Sequence, residues 1–226
     1  MRSKVIIASI ITCMMWFPQS ATAQTIEIRE WLVPWSNSRP RDPFVDTSGR
    51  VWFVGQKEHY IGNLNPETGK FDRYDLDAGT GPHNLIIAEG DSGSVVWYAG
   101  NLKSHIGRLD PSTGIITKIM MPDSKAQDPH TLVFDSIGDI WFTVQGGNFI
   151  GKLTTGTGEV SLIAVPTKRA RPYGIVINSY DEPWIAEFGS NKLIRINKND
   201  FTLEEIELKN KESRPRRLQI TSDDNV

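Results

Sequence analysis

Short apolar runs of four to seven residues, rich in β-branched and aromatic side chains, recur along the chain from about residue 40 and are separated by clusters of Gly, Pro, Asn, Asp and Ser. Apolar positions fall in short blocks or at alternate residues, and no segment sustains a period of 3.6, so the pattern predicts strands and turns rather than helices. The blocks also recur in a fixed order. Pro40, Pro82, Pro129, Pro172 and Pro215, spaced by 42, 47, 43 and 43 residues, each open an apolar run such as Leu85-Ile86-Ile87 or Leu132-Val133-Phe134. A polar turn such as Asp46-Thr47-Ser48-Gly49 follows. Trp52, Trp97, Trp141 and Trp184 then start a second run, and nine residues later stand Ile61, Ile106, Ile150 and Leu193. Turn sequences such as Asn65-Pro66-Glu67-Thr68-Gly69 and Asp110-Pro111-Ser112-Thr113-Gly114 lead into a fourth, alternating stretch, with Pro and Gly where tight turns need them.

Four strands in a repeat of roughly 40–45 residues describe a β-propeller blade, whose radial packing leaves few sheet edges exposed. The expected fold class is therefore all-β, a β-propeller with four-stranded blades at approximately 40–81, 82–128, 129–171 and 172–214, and residues 215–226 forming the first strand of a fifth. Glu27 to Pro34 resembles the last strand of a blade. The repeated Trp reads as a wedge between neighbouring blades. Three repeats place Trp 12 residues after Pro, so the next Trp falls due one position beyond Val226. Closing a seven-bladed ring would take roughly 100 residues more, and the chain is expected to be part of a longer propeller.

The N-terminus departs from this pattern. Arg2 and Lys4 precede the apolar run Val5 to Phe17, Pro18 breaks it, and Ala21-Thr22-Ala23 supplies small residues at a cleavage site. Residues 1–23 are expected to be a signal peptide, leaving 24–226 as an exported propeller domain, periplasmic or secreted. The apolar run is shorter than the roughly 20 residues a bilayer span needs, so no membrane association is expected after cleavage. Cys13, the single cysteine, lies in the signal, which excludes a disulfide framework and a cysteine-ligated metal. With 25 Lys+Arg against 27 Asp+Glu the net charge is −2, and nothing suggests a nucleic-acid partner.

The candidate chemistry gathers at one rim of the disc, where the first strand of each blade begins and the second ends. Immediately after the repeat prolines stand Arg41, His83, His130, Tyr173 and Arg216; after the tryptophans come Gln56, Asn101, Gln145 and Glu187. His59 and His105 fall in the turns between second and third strands on the same face, where exposed turn residues are expected. Histidine can take or give a proton near neutral pH, a carboxylate can hold a hard cation, and Arg41, Tyr173 and Arg216 suit a polar or anionic ligand. Plainer roles stand beside these. His83 and His130 could hydrogen-bond neighbouring strand ends, Glu187 could be a solvated strand end, Asp128 a turn-former, and Lys168-Arg169-Ala170-Arg171 a solvated loop.

The repeat resembles that of the streptogramin B lyase (virginiamycin B lyase) family. The residues that carry the likeness are Pro129-His130, Asp139-Ile140-Trp141-Phe142-Thr143 and Asn148-Phe149-Ile150-Gly151, with Gly81-Pro82-His83 and His105-Ile106-Gly107-Arg108-Leu109-Asp110-Pro111. The likeness covers nearly all of the expected mature chain. It implies a seven-bladed propeller and a lyase that linearises a cyclic depsipeptide by elimination at its ester, without hydrolysis, using Mg²⁺. By the same resemblance His83 would contact substrate, His130 would be the base and Asp128 a metal ligand, while Gln145 stands where the family has a metal-binding Glu. Asp128 is shorter than Glu, and neutral Gln145 is a poor ligand for Mg²⁺. The family's working site lies toward its C-terminal blades. Glu187 is the other carboxylate at a matching position, one blade further on.

Together these features point to an exported lyase-like protein with His130 as catalytic base. His83, Arg41, Tyr173, Arg216 and Gln145 are its candidate substrate contacts, and Asp128 and Glu187 its candidate metal ligands. A monomer that takes a small-molecule or cyclic peptide ligand on one face is expected. A non-catalytic periplasmic binding propeller and a metal-dependent lactonase are the alternatives.

Overall fold

The computed structural model describes residues 27–90 and 93–226; the expected signal peptide lies outside the described residues. The first blade comprises β1 (Pro40–Val45), β2 (Val51–Gly55), β3 (Tyr60–Asn65) and β4 (Lys70–Asp75). The second comprises β5 (Leu85–Ala88), β6 (Val95–Gly100), β7 (His105–Asp110) and β8 (Ile115–Met120). The third runs β9 (Pro129–Phe134), β10 (Ile140–Val144), β11 (Phe149–Thr154) and β12 (Glu159–Ala164). The fourth runs β13 (Pro172–Ile177), β14 (Pro183–Glu187), β15 (Lys192–Ile196) and β16 (Leu203–Glu207). Each blade is a four-stranded antiparallel meander in sequence order.

Local chemistry explains the meander. In the first hairpin, Asp46 Oδ1 accepts from the Ser48 and Arg50 amides, and Oδ2 accepts from Trp52 Nε1 at 2.8 Å. Asp135 repeats this for Ile137, Asp139 and Trp141, and Asn178 does so for the Tyr180 and Glu182 amides. One side chain thus closes the turn, and in two blades it also satisfies the indole buried beside it.

The tryptophans are wedges. Trp52 packs with Leu85, Ile87 and Tyr98 of the second blade, Trp97 with Leu132, Phe142 and Leu153 of the third, and Trp141 with Ile175, Ile185 and Ile194 of the fourth. Of the four repeat tryptophans, Trp184, which no further blade of this chain covers, alone remains half-buried. Glycine makes room for aromatic packing at the second-to-third-strand turn. A Cβ on Gly55 would lie 2.0 Å from the Tyr60 ring, and one on Gly100 would lie 2.3 Å from the His105 ring.

Two expectations about the ends differ from the structure. Residues 215–226 form no strand, and neither do residues 27–34. A strand exists through its partner's ladder of hydrogen bonds, and the 215–226 segment makes one main-chain hydrogen bond to β13, Gly174 N–H to Arg216 O at 3.1 Å. His105 departs as well: it is buried, packed edge-on to Tyr98 over the bare Gly100, not exposed in a turn.

Candidate functional site

The residue before every repeat proline has left-handed backbone: Arg39 (φ 51°), Gly81 (50°), Asp128 (69°), Arg171 (50°) and Arg214 (43°). Its carbonyl caps the end of the second strand, accepting from Gln56 N–H in the first blade, Gln145 N–H in the third and Phe188 N–H in the fourth. The chain then enters the first strand through a register shift in the first, third and fourth blades, between Arg41 and Phe44, opposite Phe142–Val144, and between Pro172 and Ile175. A shift of this kind re-aims side chains. Here it delivers the residues after the proline to the axis.

Four of the expected site residues meet there in one stack. The His83 and His130 ring centroids are 3.6 Å apart, and His130 and Tyr173 are 4.0 Å apart. Arg216 Nη2 donates to Tyr173 Oη at 2.6 Å, with its guanidinium 4.6 Å from that ring. Asp42 and Arg217, which the sequence reading passed over, join them. Asp42 Oδ2 lies 3.4 Å from His83 Nδ1, a contact rather than a formed hydrogen bond, and neither atom has another partner. Arg217 lies 3.5 Å from Asp42 Oδ1. Both stand two residues after a repeat proline. Asn84 and Thr131 occupy the same position, and these four side chains line an open axial cavity of about 630 Å³.

The remaining expected residues lie elsewhere. Arg41 donates to Gln56 Oε1 at 2.8 Å. Gln145 lines a separate hollow with Arg169, Arg171 and Arg214. Asp128 accepts from the Asn101 side-chain amide, which also donates to Pro129 O at 3.0 Å. Glu187 is fully buried; its Oε2 accepts from Ser190 Oγ at 2.5 Å and its Oε1 has no partner. His59 Nδ1 accepts from the Gly81 amide, fixing the link between the first two blades.

The electrostatics follow from burial. His130, 2% exposed, is pushed down to about 2 by loss of water and then by the charge His83 would carry. His83 is lowered by burial, against the pull of Asp42. Burial alone would raise Asp42, but His83, Arg217 and Arg41 hold it below the usual carboxylate range. Burial raises Asp128 to about 6, and burial followed by the charge of Glu205 raises Glu187 to about 7. Both imidazoles are therefore neutral near pH 7. A histidine as depressed as His130 is a feeble base, because proton-transfer efficiency falls as its pKa moves far below the working pH.

These donors do not fit Mg²⁺, which wants near-octahedral oxygen ligation anchored by carboxylates. Asp128 is engaged by Asn101, Glu187 by Ser190, and Gln145 sits among three arginines. Among the described residues no group of three or more His, Cys, Asp or Glu is placed to hold a metal.

Residues 8–226 match the model of the virginiamycin B lyase family. A structure of a streptogramin B lyase is 31% identical with a TM-score of 0.77, covering 87% of this chain and 63% of its own. Selenomethionine-substituted virginiamycin B lyase from Staphylococcus aureus is 29% identical with a TM-score of 0.75, covering 84% of this chain and 62% of its own. A catalytically inactive histidine-to-alanine variant of the S. aureus enzyme with quinupristin is 26% identical with a TM-score of 0.75, covering 84% and 63%. The chain thus spans less than two thirds of the length of these solved proteins. No curated protein matches it.

Proposed function

This chain belongs to the virginiamycin B lyase family, and we propose that the whole protein is an exported carbon–oxygen lyase that opens an ester in a cyclic depsipeptide or similar substrate, with the axial face of these blades holding that substrate. The observation that carries the reading is the stack of His83, His130 and Tyr173, with Arg216 bonded to the Tyr173 hydroxyl at 2.6 Å beside an open cavity. The rings are buried, and Asp42, Asn84, Thr131 and Arg217, which line the cavity, offer charged and hydrogen-bonding groups to the amides of a cyclic peptide.

In such an elimination a base takes the α-proton, a carbon–carbon double bond forms, and the β carbon–oxygen bond breaks with its electron pair leaving on the carboxylate. No water is consumed, so the mass is unchanged. His130 is neutral, as a base must be, but too weak to retain the proton. We therefore place His130 with His83 and Tyr173 in substrate positioning.

The same weakness of His130 favours a second reading, a non-catalytic binding propeller. Incubating the full-length protein with quinupristin and Mg²⁺, followed by mass spectrometry, separates the possibilities. Elimination yields a linear isomer of equal mass, a lactonase yields a gain of one water, and unchanged but bound quinupristin selects the binding propeller. With elimination established, His130→Ala should raise KM and largely spare kcat. A collapse of kcat at unchanged KM would instead make His130 the base.

A further inference from the structure

We propose that the hollow between the third and fourth blades is a binding site for a small polyanion carrying carboxylate or phosphate groups. The hollow measures about 580 Å³ and is lined by Arg169, Arg171 and Arg214 together with Gln145 and Asn148. That volume suits a small molecule. Planar guanidinium groups match the paired oxygens of carboxylate and phosphate.

Arg169, Arg171 and Arg214 are exposed around one hollow, and their like charges give it a positive potential that draws anions. Arg50, Arg73, Arg195 and Arg217 each have a carboxylate partner. Among the described residues none of Arg169, Arg171 and Arg214 does, nor do Arg39, Arg41, Arg108 and Arg216, but only the first three share one hollow. Asp128, the carboxylate near enough to influence Arg171, is engaged by Asn101. All three arginines also hold left-handed backbone, with φ of 56°, 50° and 43°. Long side chains rarely adopt that conformation, and where such strain persists the surroundings over-determine it.

The surroundings do so here. Gly189 N–H donates to Ala170 O at 2.8 Å, Phe188 N–H to Arg171 O at 3.2 Å, and Arg171 N–H to Asn148 Oδ1 at 3.3 Å. A Cβ on Gly189 would lie 2.0 Å from Arg169 O, so the two loops touch only because that residue is glycine. Arg214 is held by Phe188, donating to its carbonyl at 3.3 Å and lying 4.6 Å from its ring centroid. The Lys168-Arg169-Ala170-Arg171 segment is thus the solvent-exposed loop the sequence suggests, with its backbone pinned at buried Ala170. The backbone that carries Arg169 and Arg171 is fixed, and the Arg214 guanidinium is itself held, which lowers the cost of ordering the site around an anion.

Isothermal titration of the protein with citrate and with inorganic pyrophosphate, at ionic strength held constant with NaCl, tests the site. Saturable one-to-one binding of either is expected, and the tighter of the two identifies polycarboxylate or phosphate as the preferred chemistry. Arg171→Gly and Arg214→Gly, which remove charge while keeping an easy left-handed backbone, should each weaken binding at least tenfold. Arg195→Ala, which removes an exposed arginine of β15, should leave it unchanged. The absence of saturable binding of both anions, or an Arg195→Ala loss as large as that of Arg171→Gly, would overturn the proposal. Neither outcome bears on quinupristin turnover, which tests the axial reading separately.

Discussion

Asp181 of the fourth blade clasps Ser136 of the third, accepting its amide at 2.9 Å and its hydroxyl at 2.6 Å. The contact recurs 43 residues on, where Asp224 accepts from the Ser179 amide at 2.9 Å and hydroxyl at 2.5 Å. The repeat thus carries an inter-blade latch besides its tryptophan wedge. Asp181→Ala removes both latch bonds and the ion pair with Lys198, and is expected to cost about 1–2 kcal/mol. Urea unfolding checks this. Asp181→Asn should keep most of the stability, and an Ala variant with an unchanged midpoint would show that the latch carries nothing.

The wedges should rank by what covers them. Trp141 is fully buried among side chains of its own and the fourth blade, so Trp141→Ala should cost about 3–5 kcal/mol through lost transfer energy and a residual cavity. Trp184, half-buried and with an unpartnered Nε1, should cost about 1–2 kcal/mol by the same reasoning. Denaturant midpoints of the two variants measure the difference. Equal losses would mean that Trp184 is as well covered as Trp141.

Arg39 offers a test of backbone strain away from the arginine hollow. Its φ of 51° places a long side chain in left-handed backbone before a proline, and the role visible for it is to offer its carbonyl to Gln56 N–H. Arg39→Gly keeps that carbonyl and should be neutral or stabilising by up to about 1 kcal/mol. Arg39→Val should destabilise by more than 1 kcal/mol, because a β-branched residue fits left-handed backbone worst. If both variants melt together, the left-handed conformation is absent in solution.

The blades were legible because their cause is local. Proline, the polar turn and tryptophan recur at near-constant spacing, and period-two alternation needs no partner to be recognised. His83, His130, Tyr173 and Arg216 were legible as one rim because each follows a repeat proline, and the structure does bring these four together. Asp42 was not legible, because a register shift and its own φ of 47° turn it toward the axis, and neither leaves a mark in sequence. The arginine hollow was hidden for a related reason. A residue before proline is biased toward extended backbone, so among the five such positions only Gly81 and Asp128 hint at a left-handed conformation, and the three arginines do not. His105 could have been found from Gly100 five residues earlier, matching Gly55 and Tyr60 in the first blade.

Glu187 should make stability depend on pH in an unusual direction. Burial, and then the charge of Glu205, raise it to about 7 in the folded protein, whereas an unfolded Glu titrates near 4.3. Between these values the folded state holds a proton that the unfolded state has released, so this group's contribution is complete below about pH 4.3 and is lost as pH rises through about 7. Most surface carboxylates act the other way, as Asp181 does with its pKa lowered by Ser136. Glu187→Gln removes the titration while leaving an oxygen to accept from Ser190. The variant should therefore gain stability over the wild type at pH 8 and little at pH 5, as read from urea midpoints at the two values. An equal difference at both would mean that Glu187 is ionised throughout, which requires a cation or water at its unpartnered Oε1.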